Sequence, residues 1–331
     1  MSVTFDVTAV GNAIVDIVAE VEPATIEQVD LPKGIMSLIE LPQSKTIYEK
    51  LGTTKESSGG SAGNTIAALA ALGRRAAFIG RVRDDQFGEV YAHDMTAIGA
   101  TFAATPRKDG EETGRCMVMV TPDADRTMAT YLGTATDLGP EDLDEDAIAG
   151  AAVLYLEGYL WDKPAAKDAF RHAMDLAHKS ERRVALSLSD PFCVERHRES
   201  FKEIVADSAD ILFANSDELL SLMETDNFEA AIAAVSEQVA VIAITRSEKG
   251  ATIVTGGIRV DVPADPVKEL VDTTGAGDLF AAGFLNGIAL GESPETCGKM
   301  GCAAAGVIIQ QLGARCGPEL VERFKENGWI A

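Results

Sequence analysis

The sequence predicts an α/β fold: a mostly parallel sheet covered by helices on both faces, with a small β-rich appendage. Three observations predict it. Continuous apolar runs alternate with amphipathic, helix-like runs over most of the chain, the pattern of a sheet buried on both faces. The length of 331 residues suits one large domain with a small addition rather than several independent domains. Two stretches break the alternation, and both read as irregular or hairpin-like strands.

The elements follow in order. "DVTAVGNAIVDIVAEV" (Asp6–Val21) is rich in β-branched residues and carries a Gly-Asn break. "LPKGIMSLIEL" (Leu31–Leu41) is irregular. "GNTIAALAALG" (Gly63–Gly73) reads as a helix, with Ala and Leu at helical spacing and Gly73 past its end. "AAFIGRV" (Ala76–Val82) is a strand, and an acidic helix follows over about Asp85–Ile98. "TGRCMVMVTPDADRTMATYLG" (Thr113–Gly133) reads as two strands around a Pro-Asp turn. With 31–41 it would form the appendage, a lid drawn from about 17–58 and 100–136 of a single domain spanning 1–331. After that the alternation is strict: strand "AAVLYLEGY" (Ala151–Tyr159), helix Pro164–Arg182, strand "VALSLSD" (Val184–Asp190), then a helix. Strand "ADILFAN" (Ala209–Asn215), two helices and strand "VAVIAITR" (Val239–Arg246) complete the series. Polar clusters stand at the predicted exits of these strands, where open parallel sheets bind ligands.

Composition narrows the partners. With 29 basic and 52 acidic residues, the formal charge of −23 repels nucleic acid and anionic membranes. A phosphate must therefore be held locally, by backbone amides, a few Arg or Lys, or a metal ion. The five cysteines, an odd number without C-x-x-C spacing, read as reduced thiols of a cytoplasmic protein. Four histidines without paired His/Cys spacing argue against structural zinc. The N-terminal stretch lacks the basic-then-apolar pattern of a signal peptide, and no run approaches the ~20 apolar residues of a membrane span.

The chemistry concentrates in "VDTTGAGDLF" (Val271–Phe280), set between a strand-like run and an apolar helix beginning near Ala276. The amides of Gly275, Ala276, Gly277 and Asp278 would lack intrahelical partners and, with the helix dipole, form an anion site. The face carrying Gly283 and Gly287 would let this helix approach the sheet closely. A first-turn carboxylate such as Asp278 is ordinarily just good dipole pairing. Beside an anion site it can also accept the proton of an attacking hydroxyl, as phosphoryl transfer requires. No G-x-x-x-x-G-K-[ST] is present, so this is not a Walker loop. A second Gly-rich loop, "SSGGSAGNT" (Ser58–Thr65), also opens a helix and suits close contact with a polyhydroxyl ligand. As a single feature it would equally be a helix cap.

"GGSAGNTIAALAALGRRAAFIGRVRDDQFGE" (Gly59–Glu89) and "DTTGAGDLFAAGF" (Asp272–Phe284) resemble the two signatures of the ribokinase-like, phosphofructokinase-B type family of sugar and nucleoside kinases. "GNAIVDI" (Gly11–Ile17), "NSDE" (Asn215–Glu218) and "ITRSEKGA" (Ile244–Ala251) match in order, so the resemblance covers nearly the whole chain. It implies a three-layer α/β/α kinase with a β-rich lid, using ATP and Mg2+. Asp278 matches the base that deprotonates a primary hydroxyl; Gly275, Ala276 and Gly277 match the anion hole. Asp16 matches the acid that grips a ribose diol, with Asn12, Gly60, Ser61 and Asn64 as further acceptor contacts. Asn215 and Glu218 match the N-x-x-E motif, Glu218 serving Mg2+ through water. Thr245, Ser247 and Gly250 fall in a nucleotide-contacting loop. Asp272, Thr274 and the segment near Gly313 fall where many members bind a monovalent cation such as K+.

"SLSDPF" (Ser187–Phe192) and "YLEGYL" (Tyr155–Leu160) resemble elements of the adenosine kinase branch. Arg126, in "DRTMATYLGTA", resembles a lid Arg offered to the phosphates, although alone it would read as a solvated strand residue. Where eukaryotic adenosine kinases carry paired phenylalanines, this chain has Tyr159, Leu160 and Trp161; Tyr159 or Trp161 would stack a base, or simply pack in the core. "RVRDDQFG" departs from "GxDxxG" by lacking its first Gly. The implied activity is phosphorylation of a nucleoside 5′-hydroxyl, adenosine foremost, by a monomer or homodimer. The rivals are a sugar kinase for ribose, fructose or a related sugar, and a silent nucleoside- or sugar-binding protein.

Overall fold

The computed structural model describes residues 3–123 and 125–331. Its strands are β1 (Phe5–Val10), β2 (Ile14–Glu20), β3 (Met36–Leu38), β4 (Lys55–Ser58), β5 (Ala76–Ile79), β6 (Thr101–Phe102) and β7 (Gly114–Val120). They continue with β8 (Arg126–Tyr131), β9 (Ala151–Glu157), β10 (Arg183–Ser187), β11 (Ile211–Asn215), β12 (Val241–Thr245), β13 (Ala251–Thr255) and β14 (Ile258–Val262). They build a nine-stranded sheet in the order β14-β13-β12-β11-β10-β9-β1-β5-β6 and a five-stranded sheet in the order β3-β8-β7-β2-β4.

Neighbours from β6 through β12 run parallel. The strands read as unbroken apolar runs because successive side chains enter two different cores. Val153 and Tyr155 of β9 join a core with Ile66, Phe280 and Met300, from helices Ser61–Ala71, Ala276–Leu290 and Pro294–Ile308. Leu154 and Leu156 join the opposite core with Phe170 and Phe201, from helices Pro164–Lys179 and Pro191–Asp207.

Three features depart from the reading of the sequence or add to it. The stretch Asp6–Val21 breaks at Gly11–Asn12 into strands of different sheets, so the chain crosses from body to appendage within a few residues. The edge of the large sheet is an antiparallel hairpin, β13–β14. Its two-residue turn is Gly256-Gly257, both left-handed at φ +55° and +76°, as a tight hairpin turn needs. Finally, Gly283 and Gly287 serve a helix contact rather than a sheet contact. A Cβ on Gly283 would lie 2.3 Å from the Met300 carbonyl oxygen, and one on Gly287 2.8 Å from Cys297 Sγ. The sheet is met instead by Phe280 and Phe284, which pack edge-on against Phe213.

The small sheet pairs β2 with β7 in parallel and β7 with β8 antiparallel. The Pro-Asp turn expected between β7 and β8 includes position 124, which lies outside the described residues, as do positions 1 and 2. β6, inside the range expected for the lid, belongs to the large sheet. Among the described residues no helix is long and apolar enough to cross a membrane.

Candidate active site

The carboxyl ends of β1, β9, β10, β11 and β12 deliver the polar residues to one edge of the large sheet. Asp278 sits in the first turn of helix Ala276–Leu290. Ser61 Oγ donates to its Oδ1 at 2.6 Å, Asn64 Nδ2 donates to its Oδ2 at 2.8 Å, and Thr65 Oγ1 donates to its carbonyl at 3.1 Å. The two Gly-rich loops thus meet at one carboxylate. Burial pushes the Asp278 carboxyl above the usual range, while Ser61, Asn64 and the Arg315 charge pull the other way. Gly275 caps the helix at φ +79°, where a Cβ would strike Ala314 at 2.8 Å. The Ala276 amide reaches Thr273 O at 3.2 Å, while the amides of Gly277 and Asp278 find no acceptor among the described residues. A Cβ on Gly277 would meet nothing within 4 Å, so a ligand can approach that backbone directly.

The second loop is fastened beneath. Gly60, at φ +82°, lies so close to Asn12 that a Cβ would fall 2.1 Å from its carbonyl oxygen. Asn12 is buried and held by Glu157, a residue sequence reasoning missed. The signal was present: a carboxylate ends an otherwise apolar buried strand. The Oδ1 atoms of Asn12 and Asn64 are buried without a donor. Asp16 of β2 lies against Gly59, where a Cβ would come within 2.4 Å of its Oδ2. Burial pushes Asp16 up to about 6, against the pull of Arg315 and with a push from Asp278.

Arg315 is the second residue missed. Its guanidinium donates to Ser58 O and Ser58 Oγ, both at 2.7 Å, and to Gly63 O at 2.9 Å. It is the cation that both Asp16 and Asp278 feel. Nothing local in "QQLGARCG" announces this, because its partners lie some 250 residues away in sequence.

On the other side, Asn215 and Glu218 form a reciprocal cap at the end of β11. The Glu218 amide donates to Asn215 Oδ1 at 2.8 Å, and the Asn215 amide and Nδ2 donate to the Glu218 carboxylate at 2.9 and 2.6 Å. Burial, with Asp190 and Asp217 nearby, pushes Glu218 up to about 7. Thr245 ends β12 in register with Asn215. Ser247 (φ +50°) and Gly250 (φ +86°) shape the following turn, and a Cβ on Gly250 would strike Val262 O at 2.0 Å. No hydrogen bond joins Thr245, Ser247 or Gly250 directly to Asp278. Tyr159 is 41% exposed, its hydroxyl 3.2 Å from Ser189 O. Burial of its hydroxyl end and the negative charges of Asp190, Asp278, Glu218 and Glu157 push its titration up. Trp161 is fully buried between Phe170 and Phe201, in the core on the other side.

Asp272 is buried; its carboxylate receives the Thr274 and Gly313 amides at 2.8 and 2.9 Å, and the guanidinium of the lid residue Arg126. Arg126 Nη1 also reaches Thr274 Oγ1 at 3.3 Å. With Arg126 there, the side-chain oxygens of Asp272 and Thr274 do not fit a monovalent cation, and no step runs through one. Among the described residues no group of three or more His, Cys, Asp or Glu is placed to hold a metal.

The model of the family described as pfkB family carbohydrate kinase matches residues 35–319. The chain belongs to that family. This kinase is therefore a phosphotransferase with an alcohol group as acceptor, and family membership implies ATP as co-substrate, usually with Mg2+. The Glu218 carboxylate is bonded by Asn215, so it would serve such an ion through water rather than as a direct ligand. The kinase is 45% identical to a probable sugar kinase from Rhizobium etli CFN 42, at TM-score 0.90, over 99% of this chain and 100% of that one. It is 45% identical to the adenosine kinase from Sinorhizobium meliloti, at TM-score 0.88, over 98% and 99%. It is 29% identical over 276 residues to the 5-dehydro-2-deoxygluconokinase of Listeria monocytogenes, covering 80% of this chain and 84% of the relative. The architecture is the ribokinase-like fold, and the relatives act on nucleosides and sugars alike.

Proposed function

We propose that this kinase transfers the γ-phosphoryl group of ATP to the 5′-hydroxyl of a nucleoside, adenosine foremost, in the cytoplasm. One observation carries the reading. The Asp278 carboxylate joins the two Gly-rich loops beside the amides of Gly277 and Asp278, and its charge reaches the exposed Tyr159.

The acceptor hydroxyl replaces Ser61 or Asn64 at one oxygen of Asp278 and gives up its proton there. Burial raises the basicity of Asp278, which suits it to take that proton. The amides of Gly277 and Asp278 stabilise oxygens of the transferring phosphoryl group, aided by the helix dipole. Asn12 and Asn64 offer Oδ1 acceptors, and Asp16 a carboxylate, to sugar hydroxyls. Asn215, Glu218, Thr245, Ser247 and Gly250 line the nucleotide side. Magnesium, when bound with ATP, neutralises charge on the phosphates. Arg126 brings positive charge from the lid to the approach of the anion hole. Tyr159 offers an aromatic face to the base, a contact that a free sugar would not use.

A second reading, a sugar kinase, is favoured by the acceptor-side groups, since Asn12, Asp16 and Asn64 require only hydroxyls. ADP release with ATP and Mg2+, measured against a panel of nucleosides and free sugars, separates the two. Turnover of adenosine above all sugars is expected. Turnover of ribose, fructose or a keto-sugar acid without any nucleoside sinks the nucleoside reading.

A further inference from the structure

Glu157, the last residue of β9, is fully buried. Its Oε1 accepts from the Asn12 amide at 2.6 Å and from Asn12 Nδ2 at 2.8 Å; its Oε2 accepts from the Ala62 amide at 2.6 Å. A buried carboxylate is tolerated only where such donors compensate for lost water. No cation pairs with it, so these three bonds are its compensation among the described residues. One side chain therefore ties the segment leaving β1 to the N-terminus of helix Ser61–Ala71. Gly11 leaves room for it, since a Cβ there would lie 2.7 Å from Glu157 Oε2. Because Asn12 gives Nδ2 to Glu157, its buried Oδ1 is left as an acceptor with no protein donor.

We propose that Glu157 is a positioning residue for the acceptor: its ionised carboxylate fixes Asn12 against helix Ser61–Ala71 and so orients Asn12 Oδ1 toward an acceptor hydroxyl. This rests on the reading of Asn12 and Asn64 as acceptor-side groups. Protonation would set an O–H against an N–H and loosen the tie. Burial pushes Glu157 up to about 7, so the tie is complete above that value and lost as the pH falls through it. The groups whose titration is coupled to Glu157 are Asp278, Tyr91, Tyr155, Tyr159 and Cys193. The tyrosines and Cys193 are themselves pushed upward and stay neutral near pH 7, whereas Asp278, raised by burial, and the acceptor-side Asp16, pushed up to about 6, also gain protons as the pH falls. Asp278 acts on kcat and Glu157 on acceptor KM; Asp16 acts on acceptor KM too, so the difference between wild type and Glu157→Gln isolates Glu157.

The test is steady-state kinetics of the wild type and Glu157→Gln across the pH range bracketing about 7, with the acceptor the wild type turns over best. ATP KM and thermal unfolding are measured in parallel. In the wild type, acceptor KM should rise as the pH falls through that value, with ATP KM level. In Glu157→Gln, acceptor KM should be raised by about tenfold, the loss of one charge-assisted hydrogen bond. It should lose the component that titrates near 7, ATP KM should match the wild type, and the variant should still unfold in one cooperative transition. A wild-type acceptor KM that is flat across the range overturns the inference, and so does a variant with wild-type KM and pH profile. If the variant does not fold, Asp16→Asn removes the other acceptor-side titration: a KM rise through about 7 that persists in it supports the inference, and one that disappears overturns it. Absence of turnover with every nucleoside and sugar sinks the underlying reading instead, and this inference with it.

Discussion

Asp278 spends both carboxylate oxygens on the acceptor loop before any substrate arrives, one on Ser61 and one on Asn64. The base is thus fixed in direction by side chains that a hydroxyl can replace. Asp278→Asn keeps the size and one acceptor atom but removes the basic oxygen. It should lower kcat by about 10²–10⁴-fold, the usual worth of a positioned base, while calorimetric affinities for acceptor and ATP stay near wild type. A variant that turned over at more than about a tenth of the wild-type rate would remove Asp278 from the role. This residue was legible in the sequence because its neighbours are glycines at a strand-to-helix junction. Glu157 was half-legible, as a charge closing an apolar strand. Arg315 was not: its meaning comes from Ser58 and Gly63, which only the tertiary fold brings to it.

Among the elements, the contact between helices Ala276–Leu290 and Pro294–Ile308 is set by glycine. At Gly283 the obstacle to a larger residue is the Met300 backbone, which cannot swing aside as a side chain would. Gly283→Ala should therefore cost about 1–3 kcal/mol of stability through overpacking, read as a lower midpoint in urea unfolding. A midpoint equal to wild type would mean that the helices part freely. Helical periodicity marked this face as special, yet it did not say whether sheet or helix lay against it. The bulky Phe280 and Phe284 took the sheet. The parallel strands were plain from their apolar runs. The β13–β14 hairpin was passed over although Gly256-Gly257 between two β-branched runs is a turn signal. The split of Asp6–Val21 between two sheets follows from its Gly-Asn break, but a break alone does not reveal that the chain changes sheets.

For the molecule as a whole, several site carboxylates are buried or half-buried without a direct ion pair among the described residues. Asp16 is pushed up to about 6, and Glu157 and Glu218 up to about 7. Their folded values lie above their unfolded ones, so the folded protein binds more protons in that interval. Their contribution to stability is complete below the unfolded values and is lost as the pH rises through about 6 to 7. A charge of −23 adds self-repulsion in the same direction. The melting temperature should therefore fall by a few degrees across that interval, and a scanning-calorimetry series in which it rises would refute this account. Arg315 sets a further condition, one of time. Ser58 and Gly63 are synthesised some 250 residues before the cation that binds them. A chain that stops short of Arg315 thus carries every strand of both sheets but lacks these three bonds to the acceptor loop.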